Sequence, residues 1–344
     1  MPQLAPTSLA GALLVFAVAS LAILVAGTRL SALADRLADR TGLGEAVFGG
    51  IFLGAITSIS GVVTSVTAAS RGLPELALSN AVGGIAAQTA FLGIADLAHR
   101  GVNLEHAAAS TPNLVQTALL LVLLGLAAVA LAWPEPAFAA VHPLSLGLVL
   151  AYLGGVVWTR RAHETPMWRP RRTPETRPDE PDEPRSRRGS GALWLQLVLL
   201  GVVVAAAGHA DALAGETLTR RTGLSQTAVG GLLTSVSTSL PELVTTLAAV
   251  RRGALTLAVG GIVGGNCFDV LFLSASDVAF REGSIYAHAS ASVGLLVSVS
   301  VVMNAVLILG LLRREKHGPG NVGIETVVVL GLWGALAVLL ATTP

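Results

Sequence analysis

Thr238-Ser239-Leu240-Pro241-Glu242 sets a proline and a carboxylate in the middle of an apolar run, Val229 to Val250, that is otherwise long enough to cross a bilayer. A charge at bilayer depth costs at least ~2.5 kcal/mol even on a lenient insertion scale, so such a residue faces a water-filled cavity or a partner. Glu242 lies too deep in the run to snorkel to the surface, which makes it a functional candidate. Pro241 has no N–H to donate and its ring crowds the preceding turn, so a kink or a break in the helix is expected here. A break frees carbonyls, and the hydroxyls of Thr238 and Ser239 come one turn before Glu242. Together these groups make an oxygen-lined cation site.

The whole chain agrees with a membrane setting. Of its 344 residues, 53% are hydrophobic and 12% charged, and the mean hydropathy is +0.70, outside the range of soluble globular proteins. This composition describes an all-α, multi-pass integral membrane protein whose surroundings are the lipid bilayer. Lys and Arg (22) nearly balance Asp and Glu (21), so no overall field points to nucleic acid or to an acidic partner. Cys267 stands alone, which excludes an intramolecular disulfide and a thiol cluster for metal chemistry. No motif of soluble enzyme chemistry is present, and a transporter rather than an enzyme is expected. The run from Leu9 to Ala26 lacks a basic leader and is long enough to span, so it reads as a retained helix.

Apolar runs of spanning length fall at 9–29, 45–70, 74–97, 113–133 and 141–158, and again at 191–213, 226–250, 254–278, 285–312 and 322–341. The sequence thus predicts ten transmembrane helices, five in segment 1–158 and five in segment 191–344. Leu30 to Thr41 puts Leu30, Leu33, Ala34 and Leu37 on one face and reads as an interfacial amphipathic helix. Segment 159–190 is rich in Arg, Pro, Asp and Glu and reads as a disordered linker. Its arginines place it in the cytoplasm, and alternation from there puts both termini outside. Arg71, Arg220, Arg221 and Arg281 then fall outside, against the general rule. The size and the preference for Arg over Lys suggest a prokaryotic plasma (inner) membrane.

The two halves repeat each other. Thr41-Gly42-Leu43 matches Thr222-Gly223-Leu224, an offset of 181 (222 − 41), and the register continues without a gap through the next two helices. Gly49-Gly50 meets Gly230-Gly231, Thr57-Ser58 meets Thr238-Ser239, Arg71-Gly72 meets Arg252-Gly253, Gly83-Gly84 meets Gly264-Gly265, and Asp96 meets Asp277. Five crossings per half is an odd number, so the second copy enters the membrane from the opposite side. Inverted five-helix repeats are an architecture of secondary transporters, with ion sites near the midplane where interrupted helices meet.

At Thr238-Ser239-Leu240-Pro241-Glu242-Leu243 and Gly260-Gly261-Ile262-Val263-Gly264-Gly265-Asn266-Cys267-Phe268-Asp269, the chain resembles the second alpha-repeat of the cation/calcium exchanger superfamily. The pattern of that family there is close to G-T-S-L-P-E-L and G-N-x-x-G-S-N-x-F-N/D. The resemblance implies an antiporter of inorganic cations that moves Ca2+ against Na+, or in some branches against protons or potassium, with no cofactor beyond the transported ions. It places the site between helices two, three, seven and eight, and it makes Thr238, Ser239, Glu242 and Asp269 the second-repeat ligands.

The first repeat departs from the pattern. The same offset puts Gly61 opposite Glu242, Ser60 opposite Pro241 and Gln88 opposite Asp269, so Thr57, Ser58 and Gln88 offer only neutral oxygens. Gly61 leaves room where a carboxylate would stand, open to water. Leu73-Pro74-Glu75-Leu76 reads like the missing motif but belongs at the start of the next helix, which makes Glu75 interfacial. Two carboxylates, Glu242 and Asp269, still balance one divalent ion. Losing the third reduces how many monovalent ions can be held together, and protons become the natural alternative counter-ion, because a carboxylate desolvated beside another takes a proton when its cation leaves. A homologue that binds cations without transporting them is the reading from a different class.

The other candidates are bland by comparison. Asp96 and Asp277 read as helix-end caps or as lining for an access path. His209 and Asp211 read as a wet helix end or as a proton shuttle. Gly83-Gly84 and Gly264-Gly265 allow close helix approach, and Asn266 reads either as a donor to Asp269 or as a helix–helix hydrogen bond.

Overall fold

The structure, a computed structural model, describes residues 5–41, 54–99, 101–135, 137–171, 173, 190–318 and 322–342, without the side chains of 38–41 and 190. Among these residues it is all helical. In the first half α1 (Leu9–Ala22) passes through a π turn (Ile23–Gly27) into α2 (Thr28–Thr41). There follow α3 (Ile59–Ser70), α4 (Pro74–Ala98), α5 (Leu104–Ala108), α6 (Thr111–Ala132) and α7 (Pro143–Glu164). The second half begins with α8 (Ser190–Thr222) and α9 (Gln226–Ala228), then a π turn (Val229–Thr234), α10 (Ser235–Thr238) and α11 (Leu240–Arg252). It ends with α12 (Leu255–Asp269), α13 (Leu271–Ala279), a 3-10 turn (Ile285–His288), α14 (Ala291–Arg313) and α15 (Ile324–Thr342).

Among the described residues, eight helices are long and apolar enough to cross a membrane. The two apolar runs outside that set, 45–70 and 226–250, carry Thr57-Ser58 and Thr238-Ser239, and both are interrupted there. The backbone leaves helical geometry at Ser58 (φ −87°, ψ 7°) and at Ser239 (φ −97°, ψ 3°), which are equivalent residues of the two repeats. The sequence assigns the break to Pro241, yet the first repeat breaks at the same place with Ser60 in the position of the proline. The interruption is therefore a property of the repeat and not of the proline alone. A contact from across the interface supports it, because Ser60 Oγ donates to the Thr238 carbonyl at 3.2 Å.

The repeat register extends well beyond the segments that show it in sequence. Asp96 accepts from Leu104 N (2.7 Å), Gly323 N (3.3 Å) and Thr326 Oγ1 (2.7 Å). Asp277 accepts from Ile285 N (2.9 Å), His142 N (2.7 Å) and Ser145 Oγ (2.6 Å). Every donor in one set is the equivalent of a donor in the other, with the halves exchanged, so each Asp ties its own repeat to a helix of the opposite one. Both aspartates are saturated caps and do not line a path. Closest approaches obey the same symmetry. A methyl group on Gly27 would lie 2.5 Å from Pro241 Cγ, and one on its equivalent Gly208 would lie 2.6 Å from Ser60 O. Gly72 (φ 74°) and Gly253 (φ 78°) supply the left-handed residue that turns α3 into α4 and α11 into α12.

At the centre lies α4, buried without interruption from Leu76 to Gly93. A helix built of small and apolar residues all round belongs in such a place, and Gly83 lets it approach the Gly231 backbone, since a methyl group there would lie 2.5 Å from Gly231 O.

Several expectations change. Leu30, Leu33, Ala34 and Leu37 do not lie on a lipid interface; α2 continues α1, and this stripe is buried with Leu197 and Val204 of α8. The run 285–312 becomes regular α-helix only from Ala291. Residues 159–164 belong to α7, while 174–189 of the expected linker lie outside the described residues, as do Gly42, Leu43, Gly49 and Gly50 of the repeat. Asp211 is no wet helix end: α8 runs on to Thr222, and the Asp211 side chain is fully buried.

Candidate functional site

The two breaks, the middle of α4 and the C-terminal end of α12 converge. Ser58 Oγ donates to Asp269 Oδ1 at 2.6 Å. Gln88 Nε2 donates to Asp269 Oδ2 at 2.7 Å and reaches Ser239 Oγ at 3.3 Å. Four of the expected site residues thus form one buried cluster, two from each repeat. Gly84 and Gly265 flank it with no side chain of their own: methyl groups there would lie 3.5 Å from Ser239 Oγ and 3.7 Å from Gln88 Oε1.

Glu242 is also buried, and among the described residues neither it nor Asp269 forms an ion pair. Among the described residues, Glu242 Oε2 and Gln88 Oε1 are buried acceptors with no donor. Buried polar atoms are satisfied with few exceptions, and acceptor oxygens left over beside two carboxylates are what an oxygen-coordinated cation requires. Access exists from one side. A cavity of about 640 Å³ reaches from Asp35, Arg36 and Arg251 to Thr57 and Glu242. Arg252 lines the same outer end of the cavity.

The threonines behave differently from the serines. Thr57 Oγ1 and Thr238 Oγ1 turn back on their own helices, to Gly54 O and Ser235 O, each at 3.2 Å. Glu75 stays in the first turn of α4, where Thr227 Oγ1 approaches it at 3.5 Å. Asn266 makes a helix–helix bond, with Nδ2 reaching Thr89 Oγ1 at 3.3 Å, and does not donate to Asp269.

Sequence reasoning missed Phe272. Its ring fills the space beside Gly61, where a Cβ would lie 2.6 Å from Phe272 Cε2, so the room expected for water is occupied. Phe272 stacks edge-on with Phe268, and Phe268 with Tyr152. Asn80 was missed as well; it donates to Gly61 O at 3.2 Å and accepts from Thr234 Oγ1 at 2.7 Å. The offset alone could have flagged neither, because both act across helices.

The model of the family described as "Sodium/calcium exchanger protein" matches residues 11–160 and 190–342. The chain belongs to the sodium/calcium exchanger family. It is a multi-pass membrane protein of a cation exchanger family. Inner membrane protein YrbG of Escherichia coli (strain K12) is 30% identical over 155 residues, 44% of this chain and 45% of that protein. Sodium/calcium exchanger MaX1 of Methanosarcina acetivorans is 32% identical over 87 residues, 25% of this chain and 23% of that protein. These matches span less than half of the length of either relative. Among solved structures, the sodium-calcium exchanger NCX_Mj superposes with a TM-score of 0.62 at 18% identity, covering 98% of this chain and 100% of that one. The H+/Ca2+ exchanger CAX does so with 0.68 at 12%, covering 96% and 85%. At such identities the likeness of this exchanger-family chain to them is one of fold.

Proposed function

We propose that the chain is a Ca2+ antiporter working by alternating access, with Ca2+ held between the two repeats by Glu242 and Asp269. Ser58, Ser239, Gln88 and Thr57 supply neutral oxygens, and Thr238 lends its backbone to the break. The observation that carries this reading is the pair of donorless buried acceptors, Glu242 Oε2 and Gln88 Oε1, beside a carboxylate already fixed by Ser58 and Gln88. Two carboxylates neutralise a divalent ion, and a cation-free site with the same two acids takes up protons instead.

The counter-ion divides two readings. Exchange against Na+ is what the family's printed description suggests. Exchange against protons is favoured by Phe272 at Gly61, since an aromatic ring in place of the first-repeat carboxylate removes ligands that several Na+ ions would share. The relatives include a putative antiporter, CaxA of Alkalimonas amylolytica. In this account segments 1–158 and 191–344 are the inverted repeats of a ten-span protein, 159–190 is a cytoplasmic linker, and the termini face outside the plasma (inner) membrane. The cavity then belongs to an inward-open state.

Uptake of radiolabelled Ca2+ into proteoliposomes, under an imposed proton gradient and separately under a Na+ gradient, tests the reading. Proton-driven uptake that Glu242→Gln abolishes is expected. Uptake under a Na+ gradient alone would assign the counter-ion to Na+, and no uptake under either would overturn Ca2+ antiport.

A further inference from the structure

Asp211 is a third membrane-embedded carboxylate, and nothing in the family motifs accounts for it. It lies in α8, eleven residues before the helix end at Thr222 (222 − 211), about 16 Å by helical rise, and is completely buried. Its contacts form a line across three helices. Asp211 Oδ1 lies 3.1 Å from Ser237 Oγ on α10, Ser237 Oγ lies 2.8 Å from Ser20 Oγ on α1, and Ser20 Oγ lies 2.8 Å from the Phe16 carbonyl. Asp211 Oδ2 has no partner.

Three contacts need three hydrogens, and the two serines supply two. With Ser237 donating to Asp211 Oδ1, the single hydrogen of Ser20 serves either Ser237 or the Phe16 carbonyl, and one contact goes without a hydrogen unless Asp211 carries a proton. A neutral Asp211 would reverse the first contact and donate to Ser237, leaving Ser237 to donate to Ser20 and Ser20 to the Phe16 carbonyl, so that every link is made. An ionised Asp211 leaves one link without a hydrogen and places a charge in the membrane interior with a lone hydroxyl to stabilise it.

The described groups around it offer no countercharge. On α8 itself, His209 contacts Thr67 Oγ1, and Glu216 pairs with Arg71 and Arg220. The described charged groups of α2 are Arg29, Asp35 and Arg36, and none of them makes an ion pair with Asp211. Helix α1 carries no titratable side chain, nor do α3 and α10, and α11 brings Glu242 in the first turn after the break.

We infer that Asp211, with Ser237 and Ser20, is a proton-binding site of the transport cycle, adjoining the cation site through the Ser237-Thr238 backbone. The line is absent from the first repeat, where the equivalents of Asp211 and Ser237 are Leu30 and Ile56. The resembling family pattern has Gly where Ser237 stands. The chain therefore lacks a carboxylate at Gly61 and holds an additional one beside the opposite break. The transport role of Asp211 rests on the proton-coupled reading above; its protonation does not.

The test uses the full chain in lipid vesicles with two readouts. Infrared spectra in the absence of Ca2+ should contain a protonated-carboxyl stretch at neutral pH that Asp211→Asn removes and that Ser237→Ala shifts. Proton-driven Ca2+ uptake should fall at least about tenfold in Asp211→Asn, while Ca2+/Ca2+ self-exchange, which needs no net proton movement, stays within about twofold. A spectrum unchanged by Asp211→Asn, or an uptake pH profile unchanged by it, would overturn the inference. If the wild type shows no proton-driven uptake, the proton-coupled reading fails and the transport role of Asp211 falls with it. The infrared band then decides the proton site alone.

Discussion

Gln88 and Asp269 occupy equivalent positions of the two repeats and touch each other, Nε2 to Oδ2 at 2.7 Å. Two equivalent residues can meet only close to the axis that relates them, so the pseudo-two-fold axis runs through the candidate cation site. Asn266 and its own equivalent Ile85 approach in the same way at 3.5 Å. The bond also shows what the asymmetry does: an amide on one side supplies the hydrogen that a second carboxylate would lack. Replacing Gln88 by Leu leaves Asp269 Oδ2 buried without a donor, which costs about 1–3 kcal/mol. The melting temperature of Gln88→Leu is expected to fall by several degrees and its Ca2+ uptake to drop with it; a variant with unchanged melting and uptake would remove Gln88 from the site.

Restoring the carboxylate that the family pattern places at Gly61 is not expected to restore anything by itself. The new side chain meets the Phe272 ring at its first carbon, and overpacking of this kind costs about 1–3 kcal/mol. Gly61→Glu should lower thermal stability and reduce uptake, whereas Gly61→Glu with Phe272→Ala should recover stability and increase Ca2+ affinity. Isothermal titration and a melting curve on both variants check this.

Gly27 and Gly208 are equivalent but unequally replaceable. A methyl group on Gly208 meets the Ser60 backbone carbonyl, which has no rotamer to change, while one on Gly27 meets the Pro241 ring beside Glu242. Gly208→Ala is therefore expected to destabilise α3 against α8 by about 1–3 kcal/mol, and Gly27→Ala to act chiefly on Ca2+ binding through the break. Chemical denaturation and Ca2+ titration of the two variants separate these effects.

Outside the membrane spans, on α5, burial first and then the Asp96 carboxylate raise the Glu105 pKa from 4.5 to about 8, with Glu325 adding to the rise. The folded protein therefore binds a proton that the unfolded chain releases, and its stability falls as pH rises from about 4.5 through about 8. Melting temperatures of the wild type should decline over this window, and Glu105→Gln, neutral at every pH, should flatten the decline. Parallel curves for the two proteins would show that another group is responsible.

Much of this was legible in the sequence because its signals are local. Spanning runs and a carboxylate beside a proline in an apolar stretch follow from residues close in the chain, the resemblance of the second repeat added Ser239 and Asp269, and the 181-residue register carried these to Ser58 and Gln88. What was not legible depends on packing between helices. The first-repeat break has no proline to announce it, and Ser60, in the proline's place, reaches the opposite repeat instead. The stripe on Leu30 to Leu37 has the pattern of a lipid-facing surface and is covered by α8. Asp211 reads as a helix end until the helix is seen to continue to Thr222. Phe272 is an ordinary apolar residue in sequence and becomes informative only beside Gly61.

The central claim is that a single Ca2+ sits between the repeats on Glu242 and Asp269 and that protons compete for the same carboxylates. Equilibrium binding of radiolabelled Ca2+ to the purified full chain, followed through a drop in pH, tests it most directly. One tightly held Ca2+ per chain is expected, released by acidification alone and absent from both Glu242→Gln and Asp269→Asn. Ca2+ that remains bound in those variants, or that acidification does not release, would contradict it.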